Sequence, residues 1–289
     1  RLLRSVGIKD SVEHLTKFGF AKADLPANES LSLGSASLTP LSVITAMSSF
    51  ANGGYLVQSQ LIDHVVDSAD NLVYQPTKLV IPELLEENQQ PVVMAAPRII
   101  SKENAFLVAD AMNSTIWGGG VWSKGNGWNG TAWRAAQKLK RRDLSGKTGT
   151  TNDAVDTWFT GFTPKLIATS WVGFDSPGRP LGRTRYNTNL GDKQIYGAES
   201  GARTALPAWI EFMADVLPDI PVTYREIPEG IISVRVDRET GLLSNKTDHT
   251  TRFEYFIKGT EPTKYADNST PINLGEDEQK VEEEDELFE

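Results

Sequence analysis

Ser145-Gly146-Lys147-Thr148-Gly149-Thr150-Thr151-Asn152 is the stretch whose reading decides the fold. It sets one lysine and several hydroxyl side chains among glycines, which carry no side chain to keep a second backbone away. Two runs rich in aromatic and β-branched residues follow, Thr157 to Phe162 and Leu166 to Phe174, with a turn at Thr163-Pro164-Lys165 between them. The pattern predicts a strand at a sheet edge and then two more antiparallel strands on short connections. Gly146-Lys147-Thr148 also copies the end of a nucleotide phosphate loop. That loop requires a glycine where Arg141 stands and a helix immediately after, so nucleotide binding is set aside.

Working outward, composition bounds the answer. The 289 residues are 39% hydrophobic and 23% charged, enough for one large globular domain or a domain and a half. The net charge of −9 is concentrated at one end. Residues 276–289 hold nine acids and one lysine, which leaves 28 bases against 29 acids elsewhere. A near-neutral body argues against a nucleic-acid surface. The acidic tail predicts a disordered, solubilising end. The chain has no cysteine, which excludes disulfides and thiolate chemistry and leaves the redox compartment open. No run reaches the roughly 18 apolar residues of a membrane span.

Residues 2–18 carry apolar side chains at helical spacing, broken at Gly7, and predict two short helices. Thr39 followed by Pro40 starts a helix that Asn52-Gly53-Gly54 stops, with Leu41, Ile44, Met47 and Phe50 as its expected core face. Leu61 to Asp67 and Leu72 to Tyr74 flank a turn and predict a hairpin, which places His64 on the surface rather than in a metal site. The stretch through Pro76, Pro82, Pro91 and Pro97 predicts a surface excursion. Ser101 caps a helix bearing Phe106, Ala109, Met112 and Ile116.

Then come Trp117, Trp122, Trp128 and Trp133 among glycines, followed by the basic residues Arg134, Lys138, Lys140, Arg141 and Arg142. This loop is either a cleft wall that contacts glycan or peptide, or a loop pinned by tryptophans packed on the body. After the three strands, Ala205, Trp209, Ile210, Met213, Val216 and Leu217 predict a helix with Pro207 near its start or at a kink, covering one sheet face. Beyond Pro218, Ile231 to Val236 and Phe253 to Ile257 alternate as short β-type runs.

The run Lys147 to Asn152, with Asp156-Thr157-Trp158-Phe159-Thr160-Gly161-Phe162-Thr163-Pro164 and Trp171-Val172-Gly173-Phe174-Asp175, resembles the transpeptidase domain of class A penicillin-binding proteins. Leu33 to Leu41, Phe50 to Tyr55 and Trp117 to Gly120 carry the same likeness, which extends from Arg1 to about Thr263 and is greatest for the 1a subtype of Gram-negative bacteria. The resemblance implies an α+β (mixed) fold: a β-lactamase/transpeptidase-like antiparallel sheet flanked by helices, plus a small β-rich C-terminal extension. In that family two of five strands precede the nucleophile, so the sheet is expected to be incomplete in this chain, with an edge that demands a partner. The boundaries expected are 1–217 for the transpeptidase part, 218–275 for the extension and 276–289 for the tail.

The family also carries a Ser-x-x-Lys nucleophile motif and a Ser-x-Asn motif. Here no serine stands three before a lysine or two before an asparagine. The expectation is therefore a C-terminal part of a longer protein, inactive alone. The nucleophile, a glycosyltransferase domain and a membrane anchor would lie upstream of Arg1, at the periplasmic face of the inner membrane.

The reaction implied is acyl transfer, in which a serine attacks the D-Ala-D-Ala amide of a stem peptide and passes the acyl group to a neighbouring amine. Lys147 would be a fixed positive charge near the nucleophile. Thr148 and Thr150, with Lys147 behind them, would hold the substrate or β-lactam carboxylate. Gly149 leaves room for a peptide to add as a strand. The Thr150 N–H would supply half of the oxyanion hole, and Thr151 would line the cleft.

No cofactor or metal is implied. The partners implied are peptidoglycan stem peptides or lipid-linked precursor, β-lactams, the upstream portion of the same protein, and outer-membrane lipoprotein or cell-wall synthesis proteins, with the extension in a packing or partner-docking role. Two alternatives stay open: a D-Ala-D-Ala carboxypeptidase or β-lactamase-like hydrolase, and a non-catalytic module that binds cell-wall peptide.

Overall fold

The computed structural model describes residues 2–82, 93–176, 178–192 and 194–266. It divides into two compact units, 1–230 and 231–289. The acidic tail and Pro91 lie outside the described residues.

The first unit begins with α1 (Leu2–Val6) and α2 (Ile8–Thr16), parted by Gly7 at φ 102°, a left-handed conformation that suits glycine. Next comes α3 (Pro40–Ala51), where the Thr39 hydroxyl accepts from the Ser42 N–H and proline fills the first turn. The face α3 buries differs from the one expected. Leu41 is 55% exposed, and Ala46, Ser48 and Ser49 are buried instead. Small side chains let the helix lie close to its neighbours, while Phe50 turns to Phe18 with ring centroids 5.6 Å apart.

The predicted hairpin forms from β1 (Val65–Val66) and β2 (Leu72–Tyr74), closed by Asp67, whose carboxylate accepts from the Ala69 and Asn71 amides. His64 is exposed and shares a hydrogen bond with its neighbour Asp63 at 2.9 Å. The proline-rich excursion contains a parallel pair that the prolines concealed, β3 (Lys78–Val80) with β4 (Val93–Ala95). Next, α4 (Lys102–Trp117) is capped by Ser101, and α5 (Trp133–Leu139) occupies the basic run, where the sequence reading had placed no element.

The central sheet is antiparallel, in the order β5 (Ser145–Thr150), β6 (Asp156–Phe162), β7 (Ile167–Gly173), with Lys147 opposite Thr160 and Gly149 opposite Trp158. Strand alternation sends Gly161 and Phe159 to one face, and there α6 (Leu206–Val216) lies across the sheet. Before it come the short pair β8 (Arg183–Thr184) and β9 (Gly197–Ala198) and a single π-helical turn, Gly201–Ala205. Trp209 of α6 meets Phe159 edge to face at 4.8 Å and donates its Nε1–H to the Ala168 carbonyl at 3.1 Å. Gly161 permits this approach, since a Cβ there would sit 2.5 Å from the indole. These residues join Ile116, Ala135, Leu144, Leu206 and Met213 in one core cluster. On the opposite face, the buried Ser145 hydroxyl donates to the Ala109 carbonyl of α4, with α3 packed beside that helix.

Residues 218–230, which the sequence reading put in the extension, lie within the first unit. The physical reason is a polar lock. Arg141 holds Asp143 through two hydrogen bonds of 3.1 and 2.7 Å and also reaches the carbonyls of Leu217, Ile220 and Pro221. Asp143 in turn accepts from the Thr223 N–H, and Arg225 donates to Ser145 at 2.8 Å.

The second unit is an antiparallel ribbon, β10 (Ile231–Asp237) with β11 (Thr251–Ile257). Ile231 and Val236 are buried, and the Asp237 carboxylate closes the turn after β10 through Glu239 and Thr240.

Candidate active site

The predicted strand exists as β5, and β5 is an edge of the sheet among the described residues. Its direction of hydrogen bonding follows from one contact. The Thr151 N–H donates inward to the Asp156 carbonyl at 3.2 Å, and successive amides of an extended strand point to opposite sides. The amides and carbonyls of Thr148 and Thr150 are therefore aimed outward from the edge, where an added strand would meet them.

Side-chain alternation separates the four predicted residues within β5 into two sets. Lys147 and Gly149 lie on the face covered by α4; Thr148 and Thr150 lie on the face covered by α6. Lys147 is exposed, and its Nζ donates to the Thr148 carbonyl at 2.9 Å. No carboxylate pairs with it among the described residues. It closes an open groove lined on the helix side by Leu107, Val108, Ala111, Met112 and Thr115 of α4. The cation thus borders an apolar wall with no carboxylate on it among the described residues, and is free to meet an anion or a proton-donating group.

Thr150 is exposed, and its Oγ accepts from the Gly201 N–H at 2.9 Å. Gly149 packs against the Cβ of Trp158. Thr151 is exposed and also carries the turn. Its hydroxyl accepts from the Asp156 N–H at 2.9 Å and donates to the Asp156 carbonyl at 3.1 Å, so it closes the turn to β6. That turn holds Asp153 and Ala154 at positive φ, 57° and 49°.

Two features escaped sequence reasoning. One is Gly201, far from the motif in sequence and placed against it by the fold. The other is Glu199. Its carboxylate accepts from the Thr184 amide at 3.0 Å and from the hydroxyls of Thr184 and Thr204, which ties β8 to the π turn. Partial burial works against its charge, but those hydrogen bonds and the nearby Arg203 outweigh it and hold the carboxyl below its ordinary range. A depressed folded-state pKa stabilises the tie above the unfolded value of about 4.3 and releases it as pH falls through the folded value. The protection factor of the Thr184 amide should therefore fall on acidification below pH ~4. Glu199→Gln should abolish that pH dependence, as read by amide exchange.

The four tryptophans of the loop divide by burial. Trp117 and Trp133 are partly buried, and Arg142 lies 3.9 Å over the Trp117 ring. Trp122 and Trp128 are 65% and 43% exposed, on a loop pinned by the Gly119–Trp128 bridge.

The sequence profile described as "Penicillin binding protein transpeptidase domain" matches residues 6–174, and "Penicillin-binding protein 1A, C-terminal domain" matches residues 227–271. Penicillin-binding protein 1A of Vibrio cholerae is 48% identical over 272 residues, covering 92% of this chain and 33% of that protein. Its Escherichia coli counterpart is 35% identical over 311 residues, covering 92% of this chain and 36% of that protein. The crystal structure of penicillin-binding protein 1A from Haemophilus influenzae superimposes with a TM-score of 0.75 at 37% identity, over 91% of this chain and 38% of that one. The chain thus spans about a third of the length of the curated relatives it matches.

Proposed function

Because this chain belongs to the penicillin-binding protein transpeptidase family, we propose that it supplies the lysine-threonine-glycine side of a serine D,D-transpeptidase site, acting on D-Ala-D-Ala stem peptides in peptidoglycan cross-linking. The observation that carries the proposal is the open edge of β5, which presents Lys147, with no carboxylate on it among the described residues, together with the outward backbone groups of Thr148 and Thr150. The nucleophilic serine comes from a part of the parent protein outside these residues, since none of their serines has a lysine three positions on.

In this reading the serine hydroxyl loses its proton as its oxygen bonds the carbonyl carbon of the penultimate D-alanine. The amide C–N bond breaks and the proton leaves on the amine of the terminal D-alanine; an amine of a second stem then attacks the acyl carbon, the ester C–O bond breaks, and the proton that amine loses returns to the serine oxygen. Lys147 lowers the cost of ionising its neighbours through its fixed charge. The Thr150 N–H donates to the oxyanion, a contact worth about 3 to 4 kcal/mol in comparable sites. The Thr148 and Thr150 hydroxyls receive the terminal carboxylate by charge-assisted hydrogen bonds. The work takes place at the periplasmic face of the inner membrane, on lipid-linked precursor or nascent glycan.

The test is fluorescent-penicillin labelling of the parent protein and of this chain alone, read on a denaturing gel. The expected result is label on the parent protein only, mapped by mass to a serine outside residues 1–289. A labelled isolated chain would overturn the split-site reading. An unlabelled parent protein that still binds stem peptide would make it a binding module. Release of a terminal D-alanine to water, without cross-linking, would make it a carboxypeptidase.

A further inference from the structure

The contact between Gly201 and Thr150 bridges two segments that the sequence keeps far apart, and it has a chemical consequence. A threonine hydroxyl has one hydrogen to give and two lone pairs to receive. Here one lone pair is taken by the Gly201 N–H at 2.9 Å. The hydroxyl cannot give its hydrogen back to that N–H, and among the described residues no acceptor takes that hydrogen, so it remains available to a ligand. An O–H that already accepts a hydrogen bond is also polarised into a better donor.

Resting on the function proposed above, we infer that Gly201 is a positioning residue: its N–H aims and polarises the Thr150 hydroxyl as a dedicated donor to the carboxylate of substrate or β-lactam.

The surroundings show why this position is held so closely. A Cβ on Gly201 would stand 2.5 Å from the Trp158 carbonyl oxygen and 2.6 Å from that of Gly149, both of them backbone atoms of the sheet. Only a residue without a side chain brings its N–H this near to β5. The turn that presents it is π-helical, with the Leu206 N–H bonding the Gly201 carbonyl, and such turns recur at functional sites. Ser200 before it is extended, and its carbonyl receives the Arg203 and Thr204 amides at 2.9 and 2.8 Å. Glu199 then clamps Thr184 and Thr204 from one side, so the turn is fixed to its own loop as well as to the strand. Thr148 shares the face of Thr150, but no such N–H is found on its hydroxyl among the described residues.

The test uses the full parent protein and two acyl donors, benzylpenicillin and its methyl ester, which differ in the carboxylate alone. For each, the second-order rate of acylation is measured. In Gly201→Ala the rate with benzylpenicillin should fall roughly tenfold or more, the usual worth of one charge-assisted hydrogen bond. The ester rate should stay nearly constant, so the preference for the carboxylate collapses. Thr150→Val should show the same collapse, and the double variant should add little to either single change.

Because the added methyl presses on the sheet, Thr204→Val provides a second route. It loosens the clamp without adding bulk at the strand, and a smaller fall in the same ratio is expected. If either variant slows both donors in equal proportion, Gly201 is merely structural and the inference is overturned. A wild-type protein that neither donor acylates would instead refute the transpeptidase reading on which it rests.

Discussion

Lys147→Ala in the parent protein should slow acylation by penicillin about 10²- to 10⁴-fold, the range for loss of a positioned catalytic group, and leave the thermal midpoint almost unchanged. The two halves of that result have separate causes. The side chain is exposed, and its one hydrogen bond among the described residues is to the carbonyl of the next residue, so little packing depends on it. Exposed substitutions of this kind usually move stability by less than about 0.5 kcal/mol. The charge, by contrast, meets no carboxylate among the described residues and borders the apolar wall of α4, where a bound substrate would bring a proton or anion beside it.

Lys147→Arg should recover part of the rate. It keeps the charge but replaces a compact ammonium with a broad planar fork on a different stem. Acylation at the wild-type rate in Lys147→Ala would remove this lysine from the site. A lost rate accompanied by unfolding would contradict its exposed position.

Trp209→Ala should have the largest effect on stability. The indole is the largest side chain with almost no exposure, at 1%, and it touches the sheet at the glycine-lined seat over Gly161. Removing it opens a cavity between α6 and the sheet, strips Phe159 of its edge-to-face partner and leaves the Ala168 carbonyl without its donor. The first effect alone costs about 3 to 5 kcal/mol. For a unit of this size that corresponds to a fall of about ten degrees in midpoint, measured by calorimetry on the parent protein. Trp209→Phe should lose less, because it keeps much of the volume and gives up the indole N–H. A midpoint unchanged in Trp209→Ala would mean that α6 is not held by this contact.

The two experiments also separate what holds the fold from what performs chemistry. Trp209 works on the α6 face, and Lys147 projects to the α4 face. A variant that weakens one need not touch the other.

Several elements were legible directly because their causes are local. The Thr39 and Ser101 caps depend on a short hydroxyl reaching an amide three residues on, and both form. The two-residue alternation of Thr157 to Phe162 and Ile167 to Gly173 specifies strands whatever the rest of the chain does, and they pair in register. The hairpin around Asp67 to Asn71 is likewise closed by its own polar side chains. The family's motif belongs to the same class of information, since it is a short run of residues on one strand.

The sequence by itself therefore determined the three-strand meander, the capped helices and the lysine-threonine-glycine stretch. Tertiary structure decided the rest. It closed the β5–β6 turn with the Thr151 hydroxyl, buried Ser48 and Ser49 of α3 in place of Leu41, and tied residues 218–230 to the first unit through Asp143 and Arg225. It also brought Gly201 to Thr150 across 51 residues. Alternation along β5 assigned Lys147 and Thr150 to opposite faces, but only the packing of α4 and α6 gave those faces different surroundings. The physical reason is range: backbone propensity, capping and periodicity act within a few residues, whereas a hydroxyl's partner is set by whichever distant amide the packed helices carry to it.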